Sequence, residues 1–362
     1  MNESFLIYYI VNNLKYKDML YNLDEICLIP AELSDVEHRG DVNVLTTKNK
    51  YPIFTAPMSC VVDKNNIETL ENAGLNVIVP RSVPWSDRIN LIKQEKWVAV
   101  GLEEAKIIYE KLKIDSGRVR LCIDQANGNM NSLLQLCKKF KTKFGDKIKI
   151  MTGNIANPAT YKRYAEAGID YVRVGIGSGN VCTTTDQTGI HYPMGTLLIK
   201  LKNEKEKVKN SISTSSASPY KSVPKIIADG GFNTIRQCVT ALALGADFVM
   251  LGKIIAKSEE ASGTILQKAT KRSKAIREYF GMSTEKAQII INDSSLFKKE
   301  NFTPKHAEGL VASVLVEYKL NDWLGDFEHA LRSSMSYAGA RTLEQFIGKV
   351  LWDVRTPVPN KE

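Results

Sequence analysis

The chain lacks most of the features that would place it in a membrane or around a metal. No apolar run in its 362 residues approaches the roughly 20 that a membrane-spanning helix needs. A short apolar patch at Phe5–Val11 has Glu3 ahead of it instead of a basic cluster. No small-residue cleavage site follows, so no secretion signal is expected. Histidine is scarce, at four residues, and none forms an HExxH-like pair. The six cysteines (Cys27, Cys60, Cys122, Cys137, Cys182, Cys238) form no CxxC pair. Zinc ligation and a disulfide framework are therefore not expected, and free thiols in apolar runs suit a reducing, cytoplasmic setting. Aromatic–basic interleaving is missing as well. Although 49 Lys and Arg outnumber 40 Asp and Glu, giving a formal charge of +9, nucleic acid and membrane are not expected partners. The basic stretches Lys138–Lys143, Lys200–Lys209 and Lys268–Arg277 read as solvated helix faces, with attraction of small anions as the alternative.

What the chain does have is a recurring unit. Eight short β-branched apolar runs end in small or polar residues: Tyr51–Ala56, Leu75–Pro80, Trp97–Gly101, Val119–Asp124, Lys147–Thr152, Asp170–Gly175, Lys225–Asp229 and Asp247–Gly252. Amphipathic stretches such as Met130–Phe144 and Pro158–Gly168 lie between them, and glycine before several runs suits a helix C-cap. Eight β-α units in series predict an α/β fold, a (β/α)8 TIM barrel, as one domain over 1–362. A doubly wound open sheet is the alternative, but the first glycine-rich loop of a dinucleotide fold is absent. Two stretches interrupt the repeat. One, about 195–224, reads as an extended helix followed by a Ser-rich flexible connection. The other, about 283–319, is polar and reads as a structureless lid or mobile flap after the eighth strand.

Barrel chemistry sits at the C-terminal ends of the strands. Those ends carry Met58, Asp124, Asn127, Asn154, the loop from Gly175 to Thr188, Asp229–Gly231 and Gly252. The loop "GIGSGNVCTT" follows the sixth run. Its glycines permit close backbone approach to a ligand, and Cys182 follows them on a polar segment where a thiol can be exposed. Hydroxyls at Thr183 and Thr184 stand beside it. A glycine-rich turn with an incidental cysteine is the plain alternative, and the strand before it and two more glycine loops after it weigh against that. "IIADGG" and "VMLGK", one unit apart, offer backbone N–H groups and a cation for a phosphate, and Asp229 an acceptor for ribose hydroxyls. A cysteine beside such a site suggests covalent attack on a nucleotide base. Glu308, in the polar stretch, is the candidate proton-transfer group.

Together "VGIGSGNVCTT", "IIADGG", "ALALGADFVMLGK", "YFGM" and "LRSSMSYAGA" resemble the IMP dehydrogenase/GMP reductase family, with "LDEICLIPA" and "YPIFTAPM" matching its N-terminal pattern. The resemblance spans about Leu23 to Leu351. It implies a usually tetrameric (β/α)8 barrel acting on a purine nucleoside monophosphate with a nicotinamide cofactor. By resemblance, Cys182 is the nucleophile at purine C2, Thr184 assists the leaving group and Glu308 reads the purine. Asp229 takes the ribose. Gly230, Gly231, Gly252, Lys253 and Asn180 surround the phosphate. Met58, Tyr279, Gly281 and Met282 close on phosphate and base. Asp124, Asn127, Asn154, Gly175 and Gly177 fall on the cofactor side. The carbonyls of Gly177, Gly179 and Cys182 would be the place for a monovalent cation.

Within the family, only 16 residues separate Pro80 from Trp97, which leaves no room for the regulatory insert usual in IMP dehydrogenases. "DQANG" and "TGIHYP" resemble the reductase. The flap stretch Asp293–Phe297 has neither Arg nor Tyr, the pair that activates water in the dehydrogenase. These features imply reductive deamination of GMP to IMP with NADPH. The alternatives are IMP oxidation with NAD, a catalytically weak nucleotide-binding protein, and a flavin-binding barrel. Departures from the family pattern are Ser59-Cys60 for the usual Asp-Thr, "VPRS" for the usual His-Lys, which leaves Arg81 as the nearby cation, Asn180 for the usual Ser, and a longer span from Met282 to Glu308.

Overall fold

The computed structural model describes residues 19–114 and 117–354; the apolar patch at Phe5–Val11 lies outside them. Each of the eight apolar runs holds one strand of a single parallel sheet. After β1 (Ile26–Ile29) come the barrel strands β2 (Ile53–Thr55), β3 (Ile78–Val79), β4 (Trp97–Val100), β5 (Val119–Asp124), β6 (Ile148–Ile155), β7 (Tyr171–Val174), β8 (Lys225–Asp229) and β9 (Phe248–Leu251). Their order is β2-β9-β8-β7-β6-β5-β4-β3. A parallel bridge from Phe54 to Asn76, with Thr55 N donating to Asn76 O and Asn76 N to Ile53 O, brings β2 against β3 and makes the sheet a ring. The fold is a (β/α)8 barrel.

Alternation along the strands sends one set of side chains inward. Phe54, Trp97, Tyr171 and Phe248 meet edge-on or tilted in the lumen, with ring centroids 5.0–6.1 Å apart. Most of them stand at strand starts, so the N-terminal end of the lumen is filled. Cys122, Met151, Ile227 and Met250 pack with them. Within the barrel, the C-terminal mouth is the end left open to a ligand. The outward set packs on helices whose limits follow local rules. Pro158 opens the helix Pro158–Glu166, Asn157 caps it through Ala159 N, and Gly168 (φ +79°) turns the chain toward β7.

Three features differ from the sequence reading. The 283–319 stretch is not structureless: it holds the helix Glu285–Ser294 and the strand β12 (Val311–Leu315). That strand pairs with β11 (Ile276–Phe280), which pairs with β10 (Ile265–Gln267), forming a small antiparallel sheet beside the mouth. The polar composition misled because β12 is largely solvent-facing, so its register comes from pairing and not from burial. For the same reason Lys268–Arg277 is no helix face; it spans the β10–β11 turn. The other two basic stretches do lie on helices, Asn131–Phe144 and Met194–Thr214. Finally, β1 pairs antiparallel with β13 (Leu351–Val354), from Ile26 opposite Val354 to Ile29 opposite Leu351.

The long helix Met194–Thr214 is held to the barrel by an ion cluster. Buried Asp247 takes Lys205 Nζ at 2.6 Å, Lys225 Nζ at 3.0 Å and Ile226 N at 2.7 Å. Burial alone would raise its pKa, but Lys205 and Lys225 outweigh that and hold the carboxyl below the ordinary value of 3.8. A lowered folded-state pKa stabilises above the unfolded value and loses that contribution as pH falls through the folded one. Asp247→Asn is therefore expected to cost roughly 3 kcal/mol at neutral pH, because it leaves the partly buried Lys205 unpaired. The gap from wild type should narrow as pH drops below about 4. Urea unfolding at pH 7 and pH 3 checks both the size and the sign.

Candidate active site

All but one of the residues given site roles from the sequence line the mouth. A cavity of about 570 Å³ is lined by Met58, Asp124, Asn154, Gly175, Gly177, Gly179, Asn180, Cys182, Thr184, Asp229, Gly230, Gly231, Gly252, Lys253, Tyr279, Gly281, Met282 and Glu308. That size suits a mononucleotide and part of a second ligand. The exception is Asn127. It is exposed, outside the lining, and its Oδ1 accepts Asn129 N at 3.0 Å to close a turn.

The nucleophile loop is seated on the "DGG" turn. Ser178 Oγ donates to Asp229 O at 3.0 Å. Gly230 (φ +100°) and Gly231 (φ +84°) are required here. A Cβ on either would come within 2.8 Å of Ser178 atoms, and both backbones are left-handed. These glycines thus serve loop-on-loop packing as well as any phosphate. Gly177 O already accepts Thr185 Oγ1 at 3.2 Å, and Gly179 O accepts Cys182 N at 3.1 Å. Among the described residues no His/Cys/Asp/Glu cluster suited to a metal exists.

Glu308 reaches Cys182 through strand-like pairing. Cys182 and Gly309 form an antiparallel bridge, Leu310 N donates to Val181 O at 2.9 Å and Thr183 N to Glu308 O at 3.1 Å. Gln288, on the helix Glu285–Ser294, grips Lys305 at both backbone atoms, through Oε1 at 2.8 Å and Nε2 at 3.0 Å. Gln187 Nε2 holds Ala307 O at 3.1 Å and Ser283 Oγ holds Glu308 O at 3.0 Å. The outcome is a short relay: Cys182 Sγ lies 3.3 Å from Thr184 Oγ1, which donates to Glu308 Oε2 at 2.8 Å. A thiol, a hydroxyl and a carboxylate in line can carry out covalent addition with proton transfer to a departing group.

Behind the relay lies a residue the sequence reading missed. Arg173 in β7 is buried and joins two strand ends. Its Nη1 bonds Asp124, and its Nε and Nη2 reach Asp229 Oδ2 at 3.1 and 2.7 Å. Burial disfavours the charge, yet Asp229 and Asp124 outweigh it and push the pKa well above the ordinary arginine value. Asn154 Nδ2 also donates to Asp229 Oδ2, at 2.7 Å, and to Gly175 O. Asp229 is thereby fixed with its acceptor capacity partly used. The signal was present as a charged residue inside the apolar strand "YVRV" on its inward register. Arg81, Gln125, Gln288, Lys305 and His306 also line the cavity.

The family described as "IMP dehydrogenase / GMP reductase domain" matches residues 20–362. The chain is similar to a GMP reductase of Clostridium acetobutylicum, 29% identical over 341 residues, covering 90% of this chain and 93% of that protein. A GMP reductase of Helicobacter pylori is 28% identical over 338 residues, with 90% and 93% covered. An inosine-5'-monophosphate dehydrogenase of Aquifex aeolicus is 31% identical over 247 residues, covering 68% of this chain and 47% of that protein.

The thiols differ sharply in setting. Burial pushes Cys60 up to about 11 and Cys122 and Cys137 up to about 12, and it raises Cys238 further, whereas Cys182 and Cys27 are only half-buried. Brief iodoacetamide treatment of the folded protein at pH 8 is expected to label Cys182 and Cys27 and to spare the other four, as read by peptide mass spectrometry.

Proposed function

The chain belongs to the IMP dehydrogenase / GMP reductase family of purine-nucleotide oxidoreductases, and from that premise we propose that it is a GMP reductase. Cys182 Sγ adds to C2 of GMP, and the 2-amino group leaves as ammonia, taking a proton along the Thr184–Glu308 path. The nicotinamide cofactor, NADPH in this reading, supplies a hydride for C2 when bound. Breakage of the C–S bond then frees IMP and restores the thiol. The net change is GMP, NADPH and two protons to IMP, NADP+ and ammonium. The observation that carries the reading is the Cys182–Thr184–Glu308 relay, assembled from segments 124 positions apart.

The wall beyond Cys182 fits a nicotinamide dinucleotide. Asp124, Arg173 and Asn154 present a polar array there, and the buried Nε of Arg81 has no acceptor. Two observations favour reduction over hydration of the purine. The flap gives the cavity Ser283, Gln288, Lys305, His306 and Glu308, with neither Tyr nor Arg among them. Ser294 and Ser295, in the stretch where the dehydrogenase pair would lie, are turned onto the barrel wall at Ser82 and Glu104. A second reading, oxidation of IMP with NAD, draws support from His306, an imidazole on the cavity wall able to take a proton from water. A homotetramer and a monovalent cation at the Gly177, Gly179 and Cys182 carbonyls belong to the same proposal and rest on the resemblance. A cytoplasmic setting is supported by the free thiols.

Purified protein supplied with GMP and NADPH should consume the reduced cofactor, and supplied with IMP and NAD should produce little. The reverse pattern would establish the second reading. Cys182→Ala should lower turnover by at least about 10³-fold while GMP affinity stays within a few-fold, because the ribose contact and, apart from Asn180, the phosphate contacts of this reading lie on other loops. Glu308→Gln should slow ammonia release more than the hydride step in single-turnover kinetics.

A further inference from the structure

Arg81 stands at the C-terminal end of β3. In the eight-strand ring, β3 lies four strands from β7 in either direction, so Arg81 faces the Cys182 loop across the mouth. Its side chain lines the cavity. It rests on Gly101, where a Cβ would come 2.8 Å from Nη2, so the absence of a side chain there makes room for the guanidinium. Its Nε is shut from water and has no hydrogen-bond partner.

The nearby carboxylates are already committed. Glu104 Oε1 accepts Arg88 Nη2 at 2.7 Å and Ser295 Oγ at 3.2 Å; its Oε2 accepts Arg88 Nη1 at 2.9 Å and Gly101 N at 3.0 Å. Asp124 is bonded by Arg173. A guanidinium held in place without an acceptor marks the position of an anionic ligand oxygen. The phosphate of the mononucleotide is provided for elsewhere, by Lys253 and the turns after β8 and β9. The charge at Arg81 is therefore surplus to the first ligand.

We propose that Arg81 binds a phosphate of the nicotinamide dinucleotide and thereby positions the hydride donor opposite Cys182. This inference rests on the oxidoreductase reading. An arginine is also a poor proton donor, because it holds its charge at every working pH. Arg81 acts by holding an anion, and proton transfer stays with Thr184 and Glu308.

The test compares wild type, Arg81→Ala and Arg81→Gln, the last keeping most of the side-chain volume. Nicotinamide fluorescence titrations with NADPH, NADH and reduced nicotinamide riboside, which has no phosphate, give affinities without turnover. Both variants should bind the dinucleotides about 10- to 100-fold more weakly, bind GMP as wild type does, and match wild type with the riboside. Unchanged dinucleotide affinity would overturn the proposal, as would an equal loss with the riboside, or a loss of GMP affinity of the same size. Melting curves separate these results from misfolding; if Arg81→Ala unfolds, Arg81→Gln carries the test. Wild-type protein that binds GMP but no nicotinamide compound would instead sink the oxidoreductase reading itself.

Discussion

The hydrogen bond from Thr184 to Glu308 is short and local, but it depends on much of the molecule. One partner comes from the loop after β7 and the other from the far side of a small antiparallel sheet. They meet because residues 307–310 lie along the cysteine loop almost as an added strand, with main-chain bonds from Leu310 N to Val181 O and from Thr183 N to Glu308 O flanking the Cys182–Gly309 bridge. Main-chain pairing sets register to within one residue. Side-chain grips from Gln187, Ser283 and Gln288 then remove the remaining slack. A relay of this type tolerates little error, because misplacement of about an ångström costs on the order of 100-fold in rate.

The barrel itself was readable because its eight parallel strands are buried on both faces and so appear as unbroken apolar runs. That Cys182, Thr184, Asp229 and the glycine turns gather at the mouth was readable for a different reason: Asp229 and the glycine turns sit at strand ends and Cys182 and Thr184 in the loop that leaves β7, where barrel topology leaves few options. Legibility failed where pairing, not burial, determines structure. β12 is mostly exposed, and β1 and β13 are short strands partnered across more than 300 residues. No periodicity reveals such partners. Arg173 was hidden by the opposite effect. A charge inside an apolar strand looks like an interruption until its two carboxylates are located on neighbouring strands. Asn127 failed for a local reason, since an Asn in a tight loop serves its own turn as readily as a ligand.

Charge at the mouth is distributed by a simple rule. Buried cations with fixed carboxylate partners, Arg173 with Asp124 and Asp229 and Arg88 with Glu104, shape the walls. Cations with no such partner among the described residues, Lys253, Lys305 and Arg81, line the cavity itself. The overall positive charge of the chain therefore says less about its partners than these cations at the opening.

The pairing of Ile26–Ile29 with Leu351–Val354 also bears on how the molecule is made. During synthesis the early strand must wait, its edge unsatisfied, until the ribosome has released more than 300 further residues. A chain stalled or clipped just before residue 351 would leave that edge open to neighbouring polypeptides. Addition of Leu351–Val354 thus acts as a seal on the early strand.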